Sequence, residues 1–366
     1  MQSSSRSGEE KEIHEFHEKS GQIINYITEY WKRMGEYRVI SNVSPGYLAP
    51  LLPNEAPTEP ESWERIIEDV DKLIMPGVTH WQHPQFHAFF PTGASYPSLC
   101  ADLLSGAISC IGFSWASSPA CTELEVVMLD WLAKLMKLPQ DFMSGGKGGG
   151  VIQGSVSEAT LIAMLTARTR AIAKYMEEHP NATKFDAAAK LVGYHSDQAH
   201  SSIERAGLIA MMRLRTIPTD TSREFSGEAL REAVENDKQE GLIPFFYVSS
   251  YVFSPHKWFL VNFECSCMWV KDCEWLIKSF PVDPIYLKHQ YQGAVPDFRH
   301  WQIPLGRRFR SLKLWFVMRR YGVNHLQTYI RNHVSLAHYF EELISNDARF
   351  EVVNKVKFGL VCFRIK

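Results

Sequence analysis

Apolar positions recur at helical spacing over residues 11–38, with Ile13, Phe16, Ile23, Ile24, Ile27 and Trp31 on one side, and predict an amphipathic helix. Prolines then break the pattern. Residues 45–60 read PGYLAPLLPNEAPTEP, which is too proline-dense for regular structure and predicts a strap over a surface. A second short helix is expected over 62–73. The strongest helical face follows at 122–138, where Leu124, Val127, Met128, Trp131, Leu132 and Leu135 align. A glycine cluster at 145–150 leads through VIQGSVSEAT into a helix over 158–178. Beyond it the patterns alternate: strand-like at 191–194, helical at 201–210, strand-like at 214–218, helical at 227–240 and strand-like at 242–249. Such alternation predicts an α/β domain around a largely parallel sheet. Residues 258–270 then read as a strand hairpin, 310–321 and 324–346 as helices, and 350–353 and 360–365 as strands.

The chain has 366 residues, enough for two or three structural units with a large core. Its 39 Lys and Arg against 41 Asp and Glu leave a net charge of -2, without the basic footprint of a nucleic-acid or anionic-membrane binder. The local distribution is less even: over residues 73–122 the only formally charged side chain is Asp102. That stretch is expected to be interior, interface or pocket wall. It does not read as a membrane span, because Pro76, Pro84, Pro91 and Pro97 interrupt it and small polar residues dilute the rest. The N-terminal residues lack the apolar run of a secretory signal. Seven cysteines without framework spacing predict reduced thiols and a cytoplasmic protein. Cys265 and Cys267 sit in an apolar run and are expected to be structural, and Pro84 breaks the register that would align His80, His83 and His87 on a metal, so these are read as pocket or packing residues.

Three segments carry candidate chemistry. Lys257 is the only formally charged residue between Gly241 and Phe263, followed directly by Trp258, Phe259 and Leu260. Burial would favour the neutral amine that a Schiff-base lysine needs, with a lysine snorkelling to solvent as the rival reading. Gly148, Gly149, Gly150 and Gly154, followed by Ser155, Val156 and Ser157 at a helix start, offer free N–H groups and hydroxyls to a phosphate, without the Walker or dinucleotide spacing. The polar run from Tyr194 to Ser202, with His195 and His200, lies at the end of an apolar strand, where open α/β sheets bind ligands. The tight nucleophile elbow of a hydrolase is absent.

Taken together, PGVTHWQHPQFHAFFPTGASYPS, GFSWASSPACTELE, GGGVIQGSVSEAT, SDQAHSSIERAGL, SPHKWFLVNFECS and HWQIPLGRRFRSLKLWFV resemble the pyridoxal-phosphate-dependent group II amino-acid decarboxylases, especially the animal aromatic-L-amino-acid decarboxylases and their histidine decarboxylase relatives. The resemblance implies the type I, aspartate aminotransferase-like fold: a mostly parallel central sheet flanked by helices, in a homodimer with active sites at the subunit interface. It implies an N-terminal helical and Pro-rich arm over 1–90, a large cofactor-binding α/β domain over 91–310, and the start of a C-terminal small domain over 311–366. Pyridoxal 5'-phosphate is the implied cofactor, attached to Lys257. Ser155, Val156, Ser157, Ser250 and His256 match the residues that bind it, His200 the histidine stacked on its ring, and Tyr286 in DPIYLKH the tyrosine that protonates the carbanion. Trp81, Phe89, Phe90, Pro91, Thr92, Ile111 and Phe113 match the substrate pocket. Gly306, where histidine decarboxylases resemble one another in carrying Ser, favours an aromatic substrate such as dopa or 5-hydroxytryptophan. His200 in place of Asn favours decarboxylation, as in catecholamine biosynthesis, over the oxidative aldehyde synthases.

The sequence also departs from that pattern. Only 56 residues separate His200 from Lys257, roughly half of what the family places there, so part of the large domain is expected to be missing near 248–250. The strand ending His-Val-Asp-Ala-Ala, whose Asp pairs with the pyridine nitrogen, is not present. Ser254 stands where the family has Asn, and most of the small domain does not follow residue 366. A catalytically impaired or dead relative, acting by weak cofactor binding or dimerisation, is therefore the alternative to an active carboxy-lyase.

Overall fold

A computed structural model describes residues 2–87, 89, 91–220, 224–246 and 250–366. They form two compact units, Met1–Thr92 and Gly93–Lys366.

In the first unit, α1 (Gln2–Lys32) begins earlier than the apolar pattern, and α2 (Trp63–Asp69) starts where Ser62 Oγ accepts the Arg65 N–H at 3.3 Å. Tyr30 and Tyr37 pack on His80, whose Nδ1 lies 2.8 Å from the Tyr30 hydroxyl. His83 is buried as well, and its Nδ1 accepts the Gln85 N–H at 2.9 Å, so both histidines serve packing. The predicted apolar side of α1 is uncovered within this unit: Ile13 is 68% exposed, Phe16 60% and Ile24 53%.

The second unit opens with α3 (Tyr96–Ile108), inside the uncharged stretch. Ser95 caps it through the Ser98 N–H, Pro97 occupies its first turn, and Asp102 reaches Lys313 Nζ at 3.2 Å. There follow α4 (Pro119–Leu135), β1 (Gly149–Gln153), α5 (Val156–Glu178), α6 (Lys184–Lys190), β2 (Leu191–Ser196), α7 (Ser202–Ile209), β3 (Arg213–Ile217), α8 (Gly227–Gln239) and β4 (Ile243–Phe246). The remainder is β5 (Ser250–Phe253), α9 (Pro255–Trp258), β6 (Ser266–Val270), α10 (Glu274–Ser279), α11 (Ser311–Ser345), β7 (Phe350–Val352) and β8 (Phe363–Ile365). Two predicted helices merge as α11, which bends at Gly322 with φ 71°, a left-handed conformation that glycine admits without a steric penalty.

The α/β expectation holds, with a difference in the sheet. The strand order β3-β2-β4 is parallel, whereas β1-β6-β5 forms a separate antiparallel sheet. The β1-β6-β5 sheet is covered on both faces. Ile152, Cys267 and Trp269 face Leu129 and Leu132 of α4 and Leu314 and Val317 of α11, while Val151 and Met268 face Ala159 and Ile162 of α5. Double coverage leaves β6 buried at every position and apolar from Cys267 onward, and that removes the alternation from which a strand is best read. Residues 258–270 are accordingly not a hairpin: only Ser266–Val270 is extended, and Lys257 lies in a helical turn. Cys265 and Cys267 are fully buried in this packing.

Strands β4 and β5 are close in sequence but belong to different sheets, and among the described residues each pairs on one side only. Between them, over α5, lies an open cavity of about 810 Å³ whose lining includes Ala167, Ala171, Ile243, Phe245, Ser250 and Val270. The expected break at 248–250 falls here, although positions 248 and 249 are outside the described residues.

Candidate active site

Register places two of the candidate segments at one edge of the antiparallel sheet. Gln153, which ends β1, pairs with Ser266 at the start of β6, and Phe253, which ends β5, pairs with Cys267. The chain leaves β1 into the Ser155 turn and leaves β5 into the Lys257 turn, so both emerge from carboxyl ends of strands.

At the first turn, Ser155 Oγ accepts the Glu158 N–H at 3.1 Å and caps α5, a helix of 23 residues. The N–H groups of Val156 and Ser157 belong to its first turn, where no intrahelical acceptor exists, and they carry the positive end of the helix dipole. The Gly154 N–H is held by Glu158 Oε2 at 3.1 Å. A Cβ on Gly154 would come within 3.0 Å of that oxygen and 3.3 Å of Glu264 Oε2, so a larger residue would have to displace these two carboxylates slightly. Near it, Gln153 Oε1, Ser266 Oγ and Arg310 Nε are buried with no hydrogen-bond partner among the described residues. Ser266 Oγ and Arg310 Nε are donors beside a helix start, and an anionic group would satisfy them, whereas Gln153 Oε1 needs a donor.

The second turn is held on several sides. His256 is buried, with Nδ1 2.5 Å from the Cys265 carbonyl oxygen and 3.2 Å from the Cys265 nitrogen. The Lys257 N–H donates to the Ser254 carbonyl at 3.0 Å, and the Trp258 indole donates to His333 Nδ1 of α11 at 3.0 Å. Lys257 is partly buried, less enclosed than its apolar neighbours in sequence suggest.

Burial pushes the His256 ring below the ordinary imidazole pKa, and burial does the same to His333. Nearby Lys257 and Lys313 charges depress His256 further, and the hydrogen bond to Cys265 opposes them. A histidine depressed in the folded state binds fewer protons there than in the unfolded chain. Its contribution is therefore complete above the unfolded value of about 6.5 and is lost as pH falls toward the folded value. The melting temperature is expected to fall between pH 7.5 and 5.5, with a shallower slope for His256→Asn. A slope unchanged by that substitution would assign the dependence elsewhere.

The other predicted residues are more dispersed. His200 is exposed beyond β2, where its Nδ1 accepts the Ser202 N–H at 3.1 Å. Tyr194 of the same polar run turns to buried Asp237, donating at 2.7 Å, and is structural. Ser250 is partly buried at the start of β5, the opposite end of the strand from Lys257. Tyr286 is 78% exposed in a short helical turn. Gly306 and Ile111 are exposed and Phe113 partly buried, and hydrogen bonds from Gly112 N–H to Arg307 O and from Arg299 N–H to Phe113 O, at 3.1 and 3.0 Å, join these segments. In the first unit Trp81 and Phe89 stack with centroids 5.5 Å apart, Pro91 is exposed, and the Thr92 hydroxyl receives Gln82 Nε2 at 3.2 Å. Phe90 lies outside the described residues.

The model of the pyridoxal-dependent decarboxylase conserved domain matches residues 45–251 and 246–366, together nearly the whole chain. This chain belongs to the pyridoxal-dependent decarboxylases. It is similar to the aromatic-L-amino-acid decarboxylase of Cavia porcellus, with 50% identity over 410 residues, 96% of this chain and 85% of that one. It is similar also to that of Manduca sexta, with 48% identity over 400 residues, 94% and 79% of the two chains. Among solved structures it resembles Oryza sativa TDC with PLP and tryptamine at a TM-score of 0.92 and 34% identity, covering 96% of this chain and 84% of that one. The carboxy-lyase class and the cofactor, pyridoxal phosphate, follow from this membership. Both aligned stretches are longer than the 366 residues of this decarboxylase chain, so the relatives carry residues it lacks, and its two family matches meet at 246–251 between β4 and β5.

Sequence reasoning passed over Lys313 and the pair of Glu125 with Arg307. Lys313 is buried and donates to the Asn262 and Glu264 carbonyls at 3.2 and 3.3 Å, bracing the chain that follows Lys257. Lys313, Glu125 and Arg307 all fall inside the quoted segments, but nothing in a linear sequence marks a charged residue as buried.

Proposed function

We propose that this chain decarboxylates an aromatic L-amino acid, dopa or 5-hydroxytryptophan among them, to the amine and carbon dioxide. The observation that carries this reading is the common sheet edge from which the α5 N-terminus and the Lys257 turn emerge. The similarity to a TDC solved with PLP and tryptamine supports the aromatic substrate class.

Val156 and Ser157 would hold the cofactor's phosphate through their N–H groups, with Ser155 shaping the turn. His256 is assigned to the same cofactor and contributes by fixing the lysine turn through its contact with Cys265, while the assignment of Ser250, at the other end of β5, rests on the resemblance alone. His200, exposed at the end of β2, is free to lie against a ring. Pyridoxal phosphate, when bound, supplies an electron-withdrawing ring that accepts the electron pair left as carbon dioxide departs. Lys257 Nζ holds the cofactor and moves the proton exchanged with the substrate amine, and Tyr286 Oη returns one to the carbon that loses the carboxylate. Phe113, Ile111 and Gly306 are assigned to the aromatic side chain of the substrate, and the hydrogen bond from Gly112 N–H to the Arg307 carbonyl holds their segments together. The assignment of Trp81, Phe89, Pro91 and Thr92 to the substrate rests on the resemblance alone.

The test is release of carbon dioxide and amine from dopa, tyrosine, tryptophan and 5-hydroxytryptophan with excess pyridoxal phosphate. Turnover of at least one is expected; silence with all four would overturn the reading. Cofactor binding without turnover is the second reading, favoured by the cavity between β4 and β5 and by the absent Asp-bearing strand.

A cytoplasmic homodimer is part of the proposal. The uncovered Ile13, Phe16 and Ile24 on α1 suit a second copy, and no helix among the described residues is long and apolar enough to cross a membrane. Phe16→Asp with Ile24→Asp is expected to convert dimer to monomer in sedimentation velocity, and an unchanged dimer would place the interface elsewhere.

A further inference from the structure

Among the described residues the order β1-β6-β5 leaves one edge of β1 without a strand, yet the backbone of Ile152 is satisfied there. Its N–H donates to Glu125 Oε1 at 2.7 Å, and its carbonyl accepts from Arg307 Nη2 at 3.0 Å. The same Nη2 meets Glu125 Oε1 at 2.6 Å, and both side chains are 1% exposed. One ion pair thus takes the place of a neighbouring strand at a single residue. Ile152 stands three residues before Ser155, and the intervening chain is bonded at each step. Gln153 Nε2 donates to the Trp301 carbonyl at 2.8 Å, and the Gly154 N–H donates to Glu158 at 3.1 Å.

Arg307 also reaches in the other direction. Its guanidinium lies over the Phe298 ring at 4.4 Å, and its carbonyl accepts the Gly112 N–H at 3.1 Å, between Ile111 and Phe113. Gly306 is its chain neighbour. The pair therefore touches β1 through its side chains and the 111–113 segment through the Arg307 backbone.

We propose that Glu125 and Arg307 are positioning residues that fix the 154–157 turn for the cofactor's phosphate and couple its placement to residues 111–113. This inference rests on the cofactor reading above and extends it to residues that do not touch the cofactor. A buried pair left with one member would lose its hold on Ile152 and free the turn.

The test compares pyridoxal phosphate with pyridoxal, which lacks the phosphate. Arg307→Met is expected to raise the pyridoxal phosphate dissociation constant by at least about tenfold, the equivalent of one charge-assisted hydrogen bond, with little change for pyridoxal. Arg307→Lys, which keeps the charge but not the fork, is expected to fall between the two and serves if the Met variant does not fold. Asp237→Asn disturbs the ion pair of a buried carboxylate on α8 with half-exposed Arg215 of β3, in the other sheet, and should not discriminate between the ligands. Equal losses for both ligands, or the same discrimination in Asp237→Asn, would reduce Glu125 and Arg307 to general stability and overturn the proposal. Hydrogen exchange without ligand gives an independent readout: amides 152–158 should exchange at least about tenfold faster in Arg307→Met, with β2 unchanged. If the parent chain binds neither ligand, the cofactor reading falls, and exchange alone decides: unchanged rates at 152–158 would overturn the positioning claim.

Discussion

Inserting between Phe246 and Ser250 the residues that the Cavia porcellus relative carries there is expected to raise decarboxylation turnover by about 10²–10³-fold, the usual worth of one preorganised charge-stabilising group. Two observations converge on this position. The family model divides at 246–251, and the structure leaves β4 and β5 in separate sheets on either side of an open cavity. The resemblance places in the absent block the carboxylate that pairs with the pyridine nitrogen. Without it the ring is a weaker electron sink. The insertion is also expected to slow amide exchange on β4 and β5, whose outer edges have no strand partner among the described residues. Turnover within threefold of the parent, in a hybrid that folds and binds cofactor, would show that the block does not limit the chemistry.

Lys257→Ala is expected to abolish the covalent adduct that borohydride traps with pyridoxal phosphate, and to lower any turnover by about 10²–10⁴-fold, the range for a positioned proton-transfer group. A second lysine near this turn makes the mapping informative. Lys313 Nζ reaches two backbone carbonyls and Asp102. Lys257 sits in the turn that leaves a strand end and is partly buried. Mass mapping should place the adduct on residue 257 in the parent and nowhere in the variant. An adduct on Lys313, or one that persists in Lys257→Ala, would remove Lys257 from its assigned role.

Much of the fold was legible because local physics and tertiary context agree. The α4 stripe, the Ser155 cap and the alternation over residues 191–246 each carry their signal within a few residues, and the structure forms those elements close to where they were expected. The misread segment, 258–270, failed for a physical reason. Apolar residues bury equally well in a strand covered on both faces and in a loop pinned by side chains, so composition cannot separate Ser266–Val270 from the turns before it. α3 was hidden similarly, since a stretch with one charge offers no polar face to set a period.

The candidate site divides along the same line. The sequence by itself determined the family and the shortening between His200 and Lys257, and it marked the lysine and the glycine-serine turn as candidates, because these are matters of residue identity and order. Only the tertiary structure decided that β1 and β5 end at the same edge, that the shortening opens a gap between two sheets, and that Lys313 braces the chain after Lys257. The Glu125–Arg307 pair shows why. Its members lie 182 positions apart, and what joins them is the unpaired edge of β1, a need for hydrogen bonds that exists only once the strands have been placed.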